Sequence, residues 1–419
     1  MRILHTSDWH LGRSLYGHRR HREFSKFLNW LADTIEDKKI DLLLVSGDIF
    51  DSKTPPNKAQ ELYYRFLCRI SESCCSSVVI VAGNHDSPSF LSAPGELLRA
   101  MNIFVVADIT ENTEDEVLVI SNSRRKNDFV VVCAVPYLAD RHIRKSESGE
   151  SVADKNRKLA EGIKKHYADV AAVAEKKCNG LYRKISDSEK KRKIPIIATG
   201  HLFTKGGKTV DGDGVRELYA GNLAHMDESV FPESIDYFAL GHLHISQKVG
   251  NREEIRYSGS PLPVGFGEAK QKKSVFVIDM ENGRPDIENV SVPCFRSLRS
   301  ISGSLEEIRE ELMKLRIHGD NSWIEIEYTG KETPGDLRMI LEEDISSSEM
   351  KILRIKNPGM VEKVMGETSA NETLDNLDEY KVFEKCLEAN KIPAEQREKL
   401  IFSYKEILQS MHEEDNRKE

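Results

Sequence analysis

Asp, Asn and His stand in five short motifs spread along the chain: DWH at 8–10, GDIFD at 47–51, GNHD at 83–86, GH at 200–201 and GHLH at 241–244. Together these offer Asp8, His10, Asp48, Asn84, His201, His242 and His244, a donor set of carboxylates, imidazoles and one amide. Such a mixture suits borderline divalent ions, Mn²⁺ or Fe²⁺ and also Zn²⁺, better than Mg²⁺ or Ca²⁺, which take oxygen-rich shells. A single structural zinc would leave most of these donors idle. Two ions about 4 Å apart need one bridging carboxylate, an arrangement used in metal-assisted phosphoester hydrolysis.

Each motif follows an apolar run: RIL, DLLLV, SVVIVA, IPIIAT and DYFAL. Short β-rich runs of this kind predict buried parallel strands, with the donors just past their carboxyl ends. Open α/β sheets build their sites at that edge. The glycines before the donors are expected to supply the φ values of a sharp turn. Taken singly the motifs are weak, since Asp-x-His arises by chance, GDxxD reads as an ordinary turn and GHLH as two core or surface histidines. Their order and shared strand context carry the metal reading. Phe24, Phe27, Leu28, Leu31 and Ile35 follow helical spacing, as do Leu62, Tyr63, Phe66, Leu67 and Ile70, so amphipathic helices alternate with the strands. The fold class expected is an α/β sandwich flanked by helices.

The order DxH, GDxxD, GNHD, GH, GHxH resembles the signature of the calcineurin-like metallophosphoesterases. The flanks ILHTSDWHLG, GDIFD with its Pro-containing loop, IPIIATGHL, ALGHLH and RYSGSPLPVGFGE are similar to those of SbcD-type nucleases, closely over residues 1 to about 290. The resemblance implies that Asp8, His10, Asp48 and His244 hold one ion and that Asp48, Asn84, His201 and His242 hold the other. It implies for His85 a place facing the scissile phosphate, to stabilise the transition state or protonate the leaving oxygen, roles suited to an imidazole near neutral pH. Asp86 either orients His85 or is a helix N-cap preceding SPSF. Archaeal and eukaryotic relatives commonly carry a second, assisting His where this chain has Asp51, so that role does not carry over. Also implied are Mn²⁺ as the metal, DNA as substrate, an SbcC-type coiled-coil ATPase as partner, and a homodimer, through core helices such as 57–72, within a heterotetramer.

The 419 residues carry a net charge of −8, with 39% hydrophobic and 31% charged residues, which argues against a uniformly basic nucleic-acid binder. Local clusters matter more than the total. Arg13, Tyr16, His18, Arg19 and Arg20 follow the first motif and are the candidate DNA contacts, cations for phosphates and an aromatic for stacking. The blander alternative is a solvated loop and helix start. No apolar stretch approaches the ~20 residues of a membrane-spanning helix, and the chain starts on a strand that leads to a candidate ligand, so a cytoplasmic, nucleoid-associated protein without signal peptide is expected. The seven cysteines form no CxxC pair and are expected to be reduced and mostly buried.

Residues 1–290 are expected to form the phosphoesterase domain, 291–360 a small α/β cap, and 361–419 C-terminal helices that bind the partner ATPase. In the family such a cap sits over the active site. SLEEIREELMKLR, WIEIEY, GDLRMILEED and MKILRIK alternate helix and strand patterns, and Pro393 separates two apolar-striped tail segments. The Lys/Arg-rich stretch 141–193 reads as helical, with either a solvated basic face or a face that tracks DNA backbone. GGKT near 206–209 lacks the P-loop spacing, because Leu202 stands where its first Gly belongs. Two further functions stay open: a phosphomonoesterase or cyclic-nucleotide phosphodiesterase on the same scaffold, and a non-catalytic DNA-tethering scaffold.

Overall fold

The computed structural model describes residues 1–143, 150–184, 193–204, 207–208, 226, 228–281, 284–330 and 336–358, with the single positions 383, 387, 397, 400, 401 and 404. Most of the two tail segments, including Pro393, and most of the 204–224 loop therefore lie outside the described residues. Among the described residues no helix is long and apolar enough to cross a membrane. The chain divides into two compact units, Met1–Ser297 and Leu298–Glu419.

The first unit begins with β1 (Arg2–Thr6), a small hairpin β2 (Ser14–Leu15) and β3 (His18–Arg19), and α1 (His21–Asp37). Next come β4 (Leu42–Ser46), α2 (Asn57–Ser71), β5 (Ser77–Val81), α3 (Pro88–Ser92), α4 (Gly95–Ala100) and β6 (Ile103–Val106). The second half holds β7 (Val117–Ser121), β8 (Phe129–Cys133), α5 (Asp140–Ile143), α6 (Val152–Tyr182), β9 (Ile196–His201) and β10 (Tyr237–Gly241). It closes with β11 (Gln247–Val249), β12 (Arg252–Tyr257), β13 (Ser274–Glu281) and β14 (Arg284–Ser291). Two six-stranded sheets result, ordered β14-β13-β1-β4-β5-β6 and β11-β12-β10-β9-β8-β7. Their centres, β1-β4-β5-β6 and β8-β9-β10-β12, are parallel, as the apolar runs predict.

Alternation along the strands explains why those runs are apolar throughout. Leu42, Leu44, Val79 and Val81 face inward against Val130, Val132, Ile197 and Ala239 of the other sheet. Leu43, Val45, Val78 and Ile80 face outward onto α1 and α2. Both faces of each strand are thus covered, which removes the polar positions of a half-exposed strand.

The helix α6 plays the matching part on the second sheet. Ile163, Tyr167, Val170, Ala171, Ala174 and Cys178 form its buried stripe, and the Tyr167 hydroxyl donates to the Thr199 carbonyl at 3.1 Å. Lys164 and Lys165 lie on its solvated face, whereas Lys177 is half-buried and donates to the Glu114 and Val117 carbonyls. The helix is a core layer before it is anything else, a role that its charge content hid. Among the described residues the cysteines divide more evenly than expected: Cys75, Cys133 and Cys178 are buried, Cys74 is intermediate, and Cys68 and Cys294 are exposed.

In the second unit β15 (Leu298–Gly303), α7 (Leu305–Ile317), β16 (Trp323–Tyr328), α8 (Leu337–Ile345) and β17 (Lys351–Lys356) form a three-stranded parallel sheet with its crossover helices. Ser304 and Glu307 make a reciprocal capping box at the start of α7. Ile308, Leu312, Ile324, Ile326 and Leu341 are its fully buried centre. The expected helix and strand alternation is present. The strand β15, polar and exposed at Arg299, Ser300 and Ser302, is an addition to it. In the tail the Phe383 and Tyr404 rings stack, with centroids 4.0 Å apart.

Candidate dimetal centre

All seven candidate donors lie just past, or at, the carboxyl ends of β1, β4, β5, β9 and β10, central strands of the two facing sheets. The chain turns tightly there. Asp8, His10, Asp48 and His242 themselves have positive φ, at 52°, 47°, 50° and 101°. Non-glycine residues held in this region cost roughly 1–3 kcal/mol each and gather at functional sites. Of the glycines that precede a donor, only Gly47 has positive φ, at 87°. Gly83 and Gly241 act by having no side chain, because a Cβ would strike Asp48 at the first and the Ser46 carbonyl at the second. Backbone bonds hold the turns: the Asp8 and His10 N–H groups donate to the Gly47 and Asp48 carbonyls, both at 3.0 Å, and the His242 N–H donates to Asp8 Oδ1 at 2.9 Å.

The donor atoms converge. His201 Nε2 lies 3.1 Å from Asn84 Oδ1, 3.3 Å from His242 Nδ1 and 3.3 Å from Asp48 Oδ2. His242 Nδ1 is also 3.1 Å from Asn84 Oδ1. His10 Nε2 lies 3.1 Å from His244 Nε2 and 3.7 Å from Asp48 Oδ2. Metal-competent groupings form around Asp8, His10 and His244 and around Asp48, His201 and His242, with a further one of His10, Asp48 and His85. His201 donates Nδ1–H to the Ser46 carbonyl at 2.9 Å, which leaves Nε2 for a cation, and His244 likewise donates Nδ1–H to Glu268 Oε1 at 3.2 Å. This set of facing acceptors fits two divalent cations.

The electrostatics agree. Burial opposes charge at Asp48, but the adjacent His201, then His10 and His85, hold its carboxyl well below the usual range. Burial also works against a charged His201, yet Asp48 carries the ring to about 9. Any cation at Nε2 benefits from the same field and displaces that proton. Burial raises the Asp8 carboxyl, and burial followed by the charge of His201 pushes His242 well down, toward the neutral ring that a metal needs.

Comparison with known proteins matches the geometry to a family. Residues 1–246 match the model of the calcineurin-like phosphoesterases, and residues 294–391 match a model described as the type 5 capsule protein repressor C-terminal domain. The SbcD subunit of the nuclease SbcCD from Escherichia coli (strain K12) is 32% identical over 418 residues, covering 98% of both chains. The chain belongs to the SbcD family of calcineurin-like phosphoesterases. The corresponding nuclease subunit of Bacillus subtilis (strain 168) is 28% identical, covering 99% of this chain and all of the relative. That of Rhodobacter capsulatus is 31% identical over 68% of this chain and 67% of the relative. As a member of this family the chain is a phosphodiester hydrolase that binds divalent metal.

Several expectations for the SbcD-family site need correction. Asp86 neither orients His85 nor caps a helix. Its carboxylate is buried and accepts the N–H groups of Ile49, Phe50 and Gly83 at 3.1, 2.9 and 2.9 Å, tying the GDIFD loop to the GNHD loop. Ser87 caps α3 instead, by accepting from Phe90 N–H. His85 is oriented by a backbone group, donating Nδ1–H to the Asp51 carbonyl at 3.0 Å, while its own N–H donates to Asp48 Oδ1 at 2.9 Å.

The basic cluster divides. Arg20 is buried at 2% exposure, with its guanidinium donating to the Pro263 carbonyl, so it is not placed to reach a phosphate. Arg13 is committed to Asp51 at 2.9 Å and to the Val264 carbonyl at 3.1 Å. Tyr16, His18 and Arg19 belong to the β2–β3 hairpin, where Tyr16 is exposed and stacks on Phe266 at 5.9 Å, Arg19 is exposed and His18 is half-buried.

The SbcD-family site also contains a carboxylate that sequence reasoning passed over. Glu268, fully buried, bonds His244 through Oε1 and, through Oε2, Lys273 at 2.5 Å, Ser260 at 3.3 Å and the Val264 N–H at 3.1 Å. Burial alone would raise its carboxyl, but Lys273, then His244, hold it down to about 2. The segment RYSGSPLPVGFGE marks the region, though no local pattern names its target. A Glu268→Gln protein is expected to lose on the order of 3 kcal/mol of stability, because the Lys273 ammonium stays buried without its counter-charge. It should also bind metal at the His244 side about 10–100-fold more weakly. Thermal melting and Mn²⁺ titration measure both, and an unchanged melting curve would refute the first.

Proposed function

We propose that this chain is a Mn²⁺-dependent DNA nuclease, an exonuclease on duplex ends and an endonuclease on single-stranded or hairpin DNA, acting with an SbcC-type ATPase in DNA-end processing, repair and recombination. The observation that carries this reading is the convergence of Asp8, His10, Asp48, Asn84, His201, His242 and His244 at one sheet edge with His85 beside them. Asp8, His10, Asp48 and His244 would hold one ion and Asp48, Asn84, His201 and His242 the other, with Asp48 bridging. When bound, such ions polarise the phosphoryl oxygens and activate water at neutral pH.

The chain's own residues supply access and proton transfer. Asp8, His10, Asp48, His201, His242 and His244 are buried, whereas Asn84 and His85 are half-buried. A phosphodiester therefore approaches on the Asn84 and His85 side. The Asp51 carbonyl fixes the proton on His85 Nδ1, so Nε2 is the ring atom left to meet the leaving oxygen. Tyr16, His18 and Arg19 are the candidate contacts to the DNA backbone and bases beyond the centre. Residues 291–360 act as the cap and 361–419 as the docking segment for the ATPase, in a heterotetramer with two copies of this chain joined through α2.

Purified chain with Mn²⁺ is expected to degrade linear duplex and open DNA hairpins, and to cut blocked-end DNA faster with the partner ATPase and ATP. Intact DNA in the presence of bound Mn²⁺ would count against the nuclease reading. Rapid hydrolysis of nucleotides without cleavage of DNA would favour the phosphomonoesterase or cyclic-nucleotide alternative.

A further inference from the structure

Asp51 lies outside the donor set, yet two of its polar groups face the site. Its Oδ1 is 3.4 Å from Nδ1 of His10, on the ring edge opposite the Nε2 that faces His244. Its carbonyl accepts from His85. Arg13 Nη1 donates to that same Oδ1 at 2.9 Å, while Arg13 Nε donates to the Val264 carbonyl at 3.1 Å. The Val264 N–H in turn bonds Glu268, which backs His244. A closed ring of contacts therefore runs from Arg13 through Asp51, His10, His244, Glu268 and Val264 back to Arg13. The other group of donors is held differently, His201 by the Ser46 carbonyl and Asn84 within the backbone turn that Asp86 ties down.

We propose that Arg13 and Asp51 are a positioning pair that serves one metal subsite, the one built on Asp8, His10 and His244, and at the same time aims His85. The inference rests on the dimetal reading above and goes beyond it. Groups behind a ligating imidazole fix its tautomer and ring orientation, and their loss typically weakens metal binding ~10–100-fold. Arg13 contributes by holding the Asp51 carboxylate behind His10, where it orients the ring, instead of leaving it free to swing into the centre. Its planar fork suits the task because two of its N–H groups reach Asp51 and Val264 at once. Lys offers a single point charge and cannot bridge both in this geometry.

Mn²⁺ titration of the full chain by calorimetry tests this, with Mn²⁺ alone as probe. His10→Ala and His201→Ala proteins first identify which of two binding steps belongs to which subsite. Arg13→Ala is expected to weaken the step lost in His10→Ala by about 10–100-fold and to leave the other within about twofold. Arg13→Lys should recover only part of the loss. An Arg13→Ala, Asp51→Ala double variant should be little worse than either single one, because the pair acts as a unit. Equal weakening of both steps, or no weakening of either, would overturn the proposal. If Arg13→Ala does not fold, Arg13→Lys and Asp51→Asn are judged by the same criterion. Fewer than two Mn²⁺ bound by the unaltered chain would overturn the dimetal reading and this inference with it, whereas two intact steps without the selective loss would overturn this inference alone.

Discussion

An Asp48→Asn protein is expected to lose both Mn²⁺-binding steps and to cleave DNA at least ~10²–10³-fold more slowly, the scale of removing one pre-organised electrostatic contact. Asp48 stands between the two groupings, with Oδ2 3.3 Å from His201 and 3.7 Å from His10. Its charge is the reason that His201 attracts a cation, since burial by itself works the other way. Asn is the substitution of choice because Asp48 sits at φ 50°, a left-handed conformation that Asn adopts more readily than most residues. The variant therefore tests charge and not backbone strain. Calorimetric Mn²⁺ titration and a single-turnover cleavage assay read the two effects separately. Two ions bound with cleavage near that of the unaltered chain would sink the bridging role.

Replacing His85 with Gln should split those effects. His85 shares a grouping with His10 and Asp48 but is half-buried at the open side of the centre, and its Nδ1–H is already given to the Asp51 carbonyl. A general acid so placed typically contributes ~10²–10⁴-fold to the rate. The expected result is a kcat lowered by that factor with KM for DNA and both Mn²⁺ steps nearly unchanged. Loss of a Mn²⁺ step in this variant would instead make His85 a ligand. Retention of kcat would remove it from the chemistry.

The two variants also mark how far local sequence reaches. Asp48 and His85 are visible in the sequence because each follows a run, DLLLV or SVVIVA, whose uninterrupted apolar character can be satisfied only by a strand covered on both faces. Covering helices such as α1 and α2 show the complementary 3.6-residue stripe. Where charge dilutes the pattern, as along α6, the stripe of Ile163, Tyr167 and Val170 is overlooked although it is present. The strand β15 is missed for a related reason, since LRSISG is polar at the positions that face away from the core.

The sequence by itself determined the chemistry available and the edge where it gathers, since apolar runs place strands and the donors follow them directly. Only the tertiary structure decided which cationic side chains are tied into the fold around the site. Arg13 meets Asp51 across 38 residues, Arg20 meets Pro263 across 243, and Glu268 meets His244 across 24. A guanidinium in RSLYGHRRHR reads as a phosphate contact until the chain returns at SGSPLPVG and occupies it. Asp86 likewise adjoins His85 in sequence but spends its carboxylate on backbone N–H groups of the β4 loop. Hydrophobic periodicity is a local property that survives in one dimension. The partner of a buried charge is set by which distant segments the two sheets bring to the same edge.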